Sequence, residues 1–118
     1  MRIQEVSQKY DVTADTLRYY EKIGLLKKVK KDQSGRRDYQ ESDLQRLEFL
    51  KCMRSAGLGI QVLKRYMELI DEGDTTIQER KELLIQARSE LIEKQERIQR
   101  SLDKLNYKID NYEKLLKK

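Results

Sequence analysis

Apolar positions along this chain fall into two regimes: short stripes broken by turn signals over residues 1–72, then one long repeat over residues 76–118. Ile3, Val6 and Tyr10 share a helical face, and Asp11-Val12 reads as a tight turn after them. Thr13 is placed to cap a second helix, with Asp15 in the first turn, where the helix dipole favours an acid. Leu17 and Tyr20 stripe that helix, and Gly24 suits its end. Two short helices about a tight turn predict a helix-turn-helix. From Leu25 to Gln40 the helical period disappears. Two short strands are expected there, around the turn Asp32-Gln33-Ser34-Gly35. Ser42 with Gln45 fits a capping box and opens a third helix. Its apolar face is Leu44, Leu47, Phe49, Leu50 and Met53, and it should stop near Gly57-Leu58-Gly59. A fourth helix is expected from about Ile60 to Asp71, with Val62, Leu63, Tyr66, Met67 and Ile70 apolar.

The second regime predicts one helix. Thr76 with Glu79 fits another capping box. Ile77, Leu84, Leu91, Ile98, Leu105 and Tyr112 then recur at intervals of seven. A second row, Leu102, Ile109 and Leu116, completes a coiled-coil seam; its earlier members, Lys81, Arg88 and Gln95, are polar. So long and charged a helix is not stable alone in water, and its stripe needs a partner, most simply a second copy of the chain.

Composition supports helices and narrows the function. The 118 residues are 40% charged and 37% hydrophobic, with no Pro, no Trp and five Gly, which favours long helices and elongation or oligomerisation over one thick core. Histidine is absent and Cys52 is the one cysteine, which excludes a histidine triad, a thiolate zinc cluster and an internal disulfide. No paired or phosphate-cradling motif points to an enzyme. No cofactor, metal or membrane partner is expected, and a reduced, cytoplasmic protein is. Net charge is +5, and six cations lie between Lys27 and Arg37, opposed only by Asp32. Such a cluster suits a phosphate backbone, or is a solvated surface loop. Following a helix-turn-helix, a basic hairpin reads as a wing, set to lie along phosphates or enter the minor groove while the second helix occupies the major groove.

The run Val12-Thr13-Ala14-Asp15-Thr16-Leu17-Arg18-Tyr19-Tyr20-Glu21-Lys22-Ile23-Gly24-Leu25, preceded by Ile3-Gln4-Glu5-Val6, resembles the DNA-binding domain of MerR-family transcription regulators. Gly35-Arg36-Arg37-Asp38-Tyr39, Ser42-Asp43-Leu44-Gln45-Arg46-Leu47 and Arg54-Ser55-Ala56-Gly57 extend the resemblance. Two departures lie in the wing: Arg36 stands where the family usually has Tyr, and the customary Pro of the first strand is missing. The resemblance implies a mainly α fold, with a winged helix-turn-helix over residues 1–72 and a long antiparallel coiled-coil dimerisation helix over residues 76–116. It also implies a homodimer that binds a palindromic promoter in double-stranded DNA and distorts it for RNA polymerase.

Candidate DNA contacts follow. Thr13, Thr16 and Arg18 belong to the second helix, and Arg is the best bidentate reader of guanine; an ion pair of Arg18 with Asp15 or Glu21 is the alternative. Of Tyr19 and Tyr20, one is expected in the core and the other at a phosphate. Lys31, Arg36, Arg37 and Tyr39 should touch phosphates; Arg54 either does so or forms a surface ion pair. The dimer interface is expected at Ile77, Leu84, Leu91, Ile98, Leu102, Leu105, Ile109 and Tyr112. Cys52 reads as a small buried hydrophobe. The resemblance extends to a short, single-cysteine branch that responds to aldehydes and other thiol-reactive compounds, which makes Cys52 a candidate sensor as well. A coiled-coil adaptor, its basic hairpin on an acidic protein or anionic surface, is the competing function.

Overall fold

The computed structural model describes all residues, 1–118. Helices α1 (Ile3–Tyr10), α2 (Ala14–Ile23), α3 (Glu41–Ser55) and α4 (Ile60–Glu72) are followed by a short 3-10 turn (Asp74–Thr76) and by α5 (Ile77–Leu116). The chain divides into two compact units, Met1–Leu83 and Leu84–Lys118.

The helix-turn-helix forms as its caps dictate. Asp11 takes the left-handed conformation (φ 52°) and ends α1. Thr13 Oγ1 accepts the Thr16 N–H at 3.1 Å, satisfying one of the free donors at the start of α2. Gly24 closes α2 at φ 88°, a conformation that a Cβ would strain. The turn delivers Leu25 and Leu26 into the core, where both are fully buried beside Val6, Leu17, Leu47, Leu50 and Leu63.

The wing is slighter than the sequence predicts. No strand forms; one antiparallel bridge joins Lys31 and Arg37. It is flanked by hydrogen bonds from the Asp32 N–H to the Arg36 carbonyl and from the Asp38 N–H to the Lys30 carbonyl, each 2.8 Å. Beyond the bridge the arms are held from outside: Glu21 takes the Val29 N–H at 2.6 Å, and the Met1 carbonyl takes the Tyr39 N–H at 2.7 Å.

Three local expectations are corrected. Helix α3 starts at Glu41, because the Asp43 carboxylate reaches back to the Gln40 N–H (2.8 Å), so the box is Gln40–Asp43 rather than Ser42–Gln45. Thr76 does not cap α5: it is buried, and its hydroxyl donates to the Leu69 (2.6 Å) and Gly73 (2.8 Å) carbonyls, tying the joint to the end of α4. In α4 the buried apolar residues are Leu63, Met67 and Leu69, whereas Val62 is exposed.

Helix α5 is continuous over 40 residues, about 60 Å at 1.5 Å per residue. Ile77, Leu84, Ile98, Leu102, Leu105, Ile109 and Tyr112 are exposed along it, and Leu91 is half-buried. The apolar seam is therefore uncovered in the single chain. No helix is long and apolar enough to cross a membrane.

Candidate nucleic-acid interface

Helix α2 turns Leu17 into the core, which leaves Asp15, Arg18, Tyr19 and Lys22 as an exposed stripe at helical spacing. Arg18 Nη1 lies 3.0 Å from Asp15 Oδ1 in an exposed pair that solvent screens, so the guanidinium exchanges partners at little cost. Tyr19 is half-exposed, and Tyr20, half-buried, sits behind it with ring centroids 6.4 Å apart. Thr13 and Thr16 bond to each other through their hydroxyls at 2.8 Å, and Thr16 is half-buried rather than on the exposed side.

Across a cleft of about 430 Å³, lined by Arg18, Glu21, Lys22, Lys28 and Arg37, α2 faces the wing. Glu21 spans that cleft. One of its oxygens accepts the Val29 N–H at 2.6 Å; the other accepts Arg37 Nε at 2.9 Å and lies 2.8 Å from Nη2 in an ion pair. One carboxylate thus grips both arms of the wing. Burial works against its charge, but the Val29 N–H and the Arg37 and Lys31 cations outweigh burial and hold the Glu21 carboxyl below its usual range. At the wing tip, Asp32 Oδ1 accepts the Ser34 N–H (2.9 Å), the Ser34 hydroxyl (2.8 Å) and the Arg36 N–H (3.0 Å), while Oδ2 meets Arg2. Ser34, Arg36 and Arg2 hold the Asp32 carboxyl well below the ordinary range.

The six cations between residues 27 and 37 are thereby sorted. Arg37 is committed to Glu21, and Lys27 lies 3.6 Å from Asp71. Lys28, Lys30, Lys31 and Arg36 are exposed on the wing and belong to no ion pair. Lys28 lines the cleft with Arg18 and Lys22, a cationic face beside the exposed stripe of α2, whereas Arg36 lines a second cleft with Arg2, Ile3 and Gln4.

Several expected contacts are placed elsewhere. Tyr39 is buried, its hydroxyl without a protein partner, and burial pushes its phenol up; it is a core residue under the wing rather than a surface one. Arg37 is half-buried and serves to fix the wing. Arg54 donates from Nη1 to the Leu58 carbonyl at 2.8 Å, closing the turn between α3 and α4, and forms no ion pair. Cys52 is exposed on α3, not packed in the core. Lys22 and Lys28, absent from the expected set, belong to the cationic face; Lys22 follows Arg18 by four residues on one helix, a spacing that marks it.

Residues 1–70 match the family model described as MerR HTH family regulatory protein, and residues 44–107 match the model described as MerR, DNA binding. Among curated relatives, the HTH-type transcriptional regulator AdhR of Bacillus subtilis is 50% identical over 93 residues, covering 79% of this chain and 66% of the relative. The crystal structure of a putative MerR family transcriptional regulator from Listeria monocytogenes superposes with a TM-score of 0.92 at 43% identity, covering 96% of this chain and 86% of that one. That of HiNmlR, described as a MerR family regulator lacking the sensor domain and bound to promoter DNA, gives 0.86 at 34% identity, with coverage of 96% and 90%.

Proposed function

The chain belongs to the MerR family of helix-turn-helix regulatory proteins, and on that footing we propose that it is a cytoplasmic transcriptional regulator that binds a palindromic promoter as a homodimer and activates or represses by distorting the DNA for RNA polymerase. The observation that carries the reading is the cationic face of the head. Arg18, Tyr19 and Lys22 project from α2, and Glu21 fixes a wing bearing Lys28, Lys30, Lys31 and Arg36 beside them. A helix in the major groove with flanking cations on phosphates matches that layout: Arg18 reads a base edge and the wing positions.

The uncovered seam of α5 supplies the pairing. In a parallel dimer Lys81 would meet Lys81 and Arg88 would meet Arg88. An antiparallel register instead sets each polar seam residue against an apolar one: Lys81 on the partner's Tyr112, Arg88 on the partner's Leu105 and Gln95 on the partner's Ile98. The same register joins Leu102 to the partner's Leu91, Ile109 to the partner's Leu84 and Leu116 to the partner's Ile77. Cationic stems then cover apolar neighbours while their charged ends reach water. Two heads at the ends of such a rod engage two half-sites together, and bending the duplex to fit them costs about 1–6 kcal/mol, offset by the added contacts.

Cys52 is the site at which a thiol-reactive electrophile acts in this reading. Its exposure on α3 supports this: the sulfur adds to the carbonyl carbon of an aldehyde, the C=O π bond breaks as the oxygen takes the thiol's proton, and the hemithioacetal leaves a bulky group near the turn into α4. The test is transcription in vitro with and without an aldehyde; loss of the response in Cys52→Ser supports the assignment, and an unchanged response removes it.

Binding is tested by selecting duplexes from a random pool. An inverted repeat that outcompetes random DNA supports the regulator. Salt-sensitive binding without sequence preference favours the adaptor reading. Orientation is tested in a Cys52→Ser background: oxidising a mixture of Leu91→Cys and Leu102→Cys chains should cross-link unlike chains, whereas Leu91→Cys linking to itself would indicate a parallel rod.

A further inference from the structure

Arg46 lies on α3, outside the cationic cleft, and its side chain is only 12% exposed. Its guanidinium faces two elements at once. Nε donates to the Leu25 carbonyl at 2.7 Å and Nη2 to the Gly24 carbonyl at 3.3 Å, at the C-terminal end of α2. Nη1 and Nη2 also grip the Asp71 carboxylate in a two-pronged pair, 3.0 and 3.3 Å. Burial opposes the charge of Asp71, but Arg46 and Lys27 outweigh it and hold the carboxyl below its usual range.

Asp71 sits two residues before Gly73 (φ 98°), where α4 gives way to the joint leading into α5. That joint is latched in turn. Thr76 donates to the Leu69 and Gly73 carbonyls, and Arg80, in the first turns of α5, donates to the Gly73 carbonyl at 3.4 Å and lies 3.8 Å from Asp74. A continuous hydrogen-bonded path thus runs from the start of α5, through Gly73 and the last turn of α4, to Asp71, Arg46 and the end of α2.

We propose that Arg46, oriented by Asp71, is a positioning residue that fixes the DNA-reading helix α2 to the α4–α5 joint, and so sets the angle at which each head meets the duplex. The proposal rests on the DNA-binding reading above for its consequence, but not for its geometry. The fork is what the role requires. A planar guanidinium can hold two carbonyls and a carboxylate in fixed relation, whereas a lysine ammonium cannot. Neither residue lies in the cationic face. Loosening the pair therefore leaves the reading contacts in place while freeing α2 to tilt against the α4–α5 joint. A promoter would still be bound, with less bend imposed on it.

Two measurements on the protein test this, using Asp71→Asn, with Asp71→Glu and Arg46→Lys as the conservative pair. The first is amide hydrogen exchange without DNA. In Asp71→Asn the amides of Gly24 and Leu26, which close α2 onto Glu21 and Tyr20, should exchange at least about tenfold faster, while those of α1 and the middle of α3 stay as in the wild type. The second is energy transfer between dyes at the two ends of an inverted-repeat duplex selected from a random pool. Asp71→Asn should bind it within about threefold of wild type yet bend it measurably less, Asp71→Glu should restore the bend, and Arg46→Lys should not. Unchanged exchange at Gly24 and Leu26 overturns the latch. So does a bend equal to wild type, or a loss of affinity that accompanies exchange spread over the whole head, which marks a general folding role. If wild-type protein selects no inverted repeat, the promoter-binding reading fails, while the exchange result still decides the latch.

Discussion

Replacing Glu21 by Gln removes the charge from the clamp between α2 and the wing while keeping the side chain's size. Glu21 is 11% exposed and Arg37 28%, so solvent screens this pair far less than the exposed Arg18–Asp15 pair. The carboxylate accepts two hydrogen bonds, from the Val29 N–H and from Arg37 Nε, and pairs with Arg37 Nη2 as well. A glutamine carbonyl oxygen can keep one partner; its NH₂ faces a donor and repels it. Leaving one buried donor short of an acceptor costs about 1–3 kcal/mol, equivalent to a fall in melting temperature of roughly 4–15 °C. The assay is thermal unfolding by circular dichroism at one fixed protomer concentration, paired with titration of a selected inverted-repeat duplex at several salt concentrations. Two effects should appear together: the lower melting temperature, and a salt dependence of binding shallower by about one unit for each phosphate that the loosened wing no longer reaches. A Glu21→Gln protein that melts as wild type and binds with the same affinity and salt slope would refute the claim that this carboxylate holds the wing in place.

Other expectations follow from the same geometry. Arg18→Gln should lower affinity for the selected duplex by about 1–3 kcal/mol with little change on random DNA, whereas Lys28→Ala should weaken both and reduce the salt slope by about one, as competition titrations would report. Gly24→Ala places a Cβ at φ 88° and should destabilise the head by about 1–2 kcal/mol in chemical denaturation without altering dimerisation. Acid should unfold the protein through its lowered carboxyls. Glu21 and Asp71 titrate below their ordinary values of 4.5 and 3.8 when folded, so their stabilisation is complete above those values and is lost as pH falls through the lower, folded ones; a pH series of melts should decline below about pH 4.5, less steeply in Glu21→Gln. Leu105→Arg places a charge in every copy of one seam layer and should shift sedimentation from dimer to monomer at micromolar concentration while residues 1–72 keep their helical signal.

Features governed by short-range chemistry were legible in the chain. Thr13 and Gly24 bracket α2 because a hydroxyl cap and a left-handed glycine act within a few residues, and the heptad of α5 is visible because it repeats. Where two local options competed, the pattern misled: both Ser42–Gln45 and Gln40–Asp43 offer a box, and only the reach of the Asp43 carboxylate decides for the second. Thr76 looked like a cap, but a hydroxyl can donate as well as accept, and here it turns to carbonyls of α4 and the joint. The site is legible in outline. A run of cations marks the wing, yet which of them are free depends on acids 16 and 44 positions away, Glu21 for Arg37 and Asp71 for Lys27, and no periodicity encodes such pairs. Tyr39 illustrates the same limit: alternation in a short arm does not say which face the core takes.

Hydroxyl-radical footprinting of the protein on a duplex selected from a random pool tests the central claim most directly. Two protected patches related by a twofold axis, with one dimer bound per duplex, are the predicted result. A single unsymmetrical patch, or full occupancy by one chain alone, would contradict it.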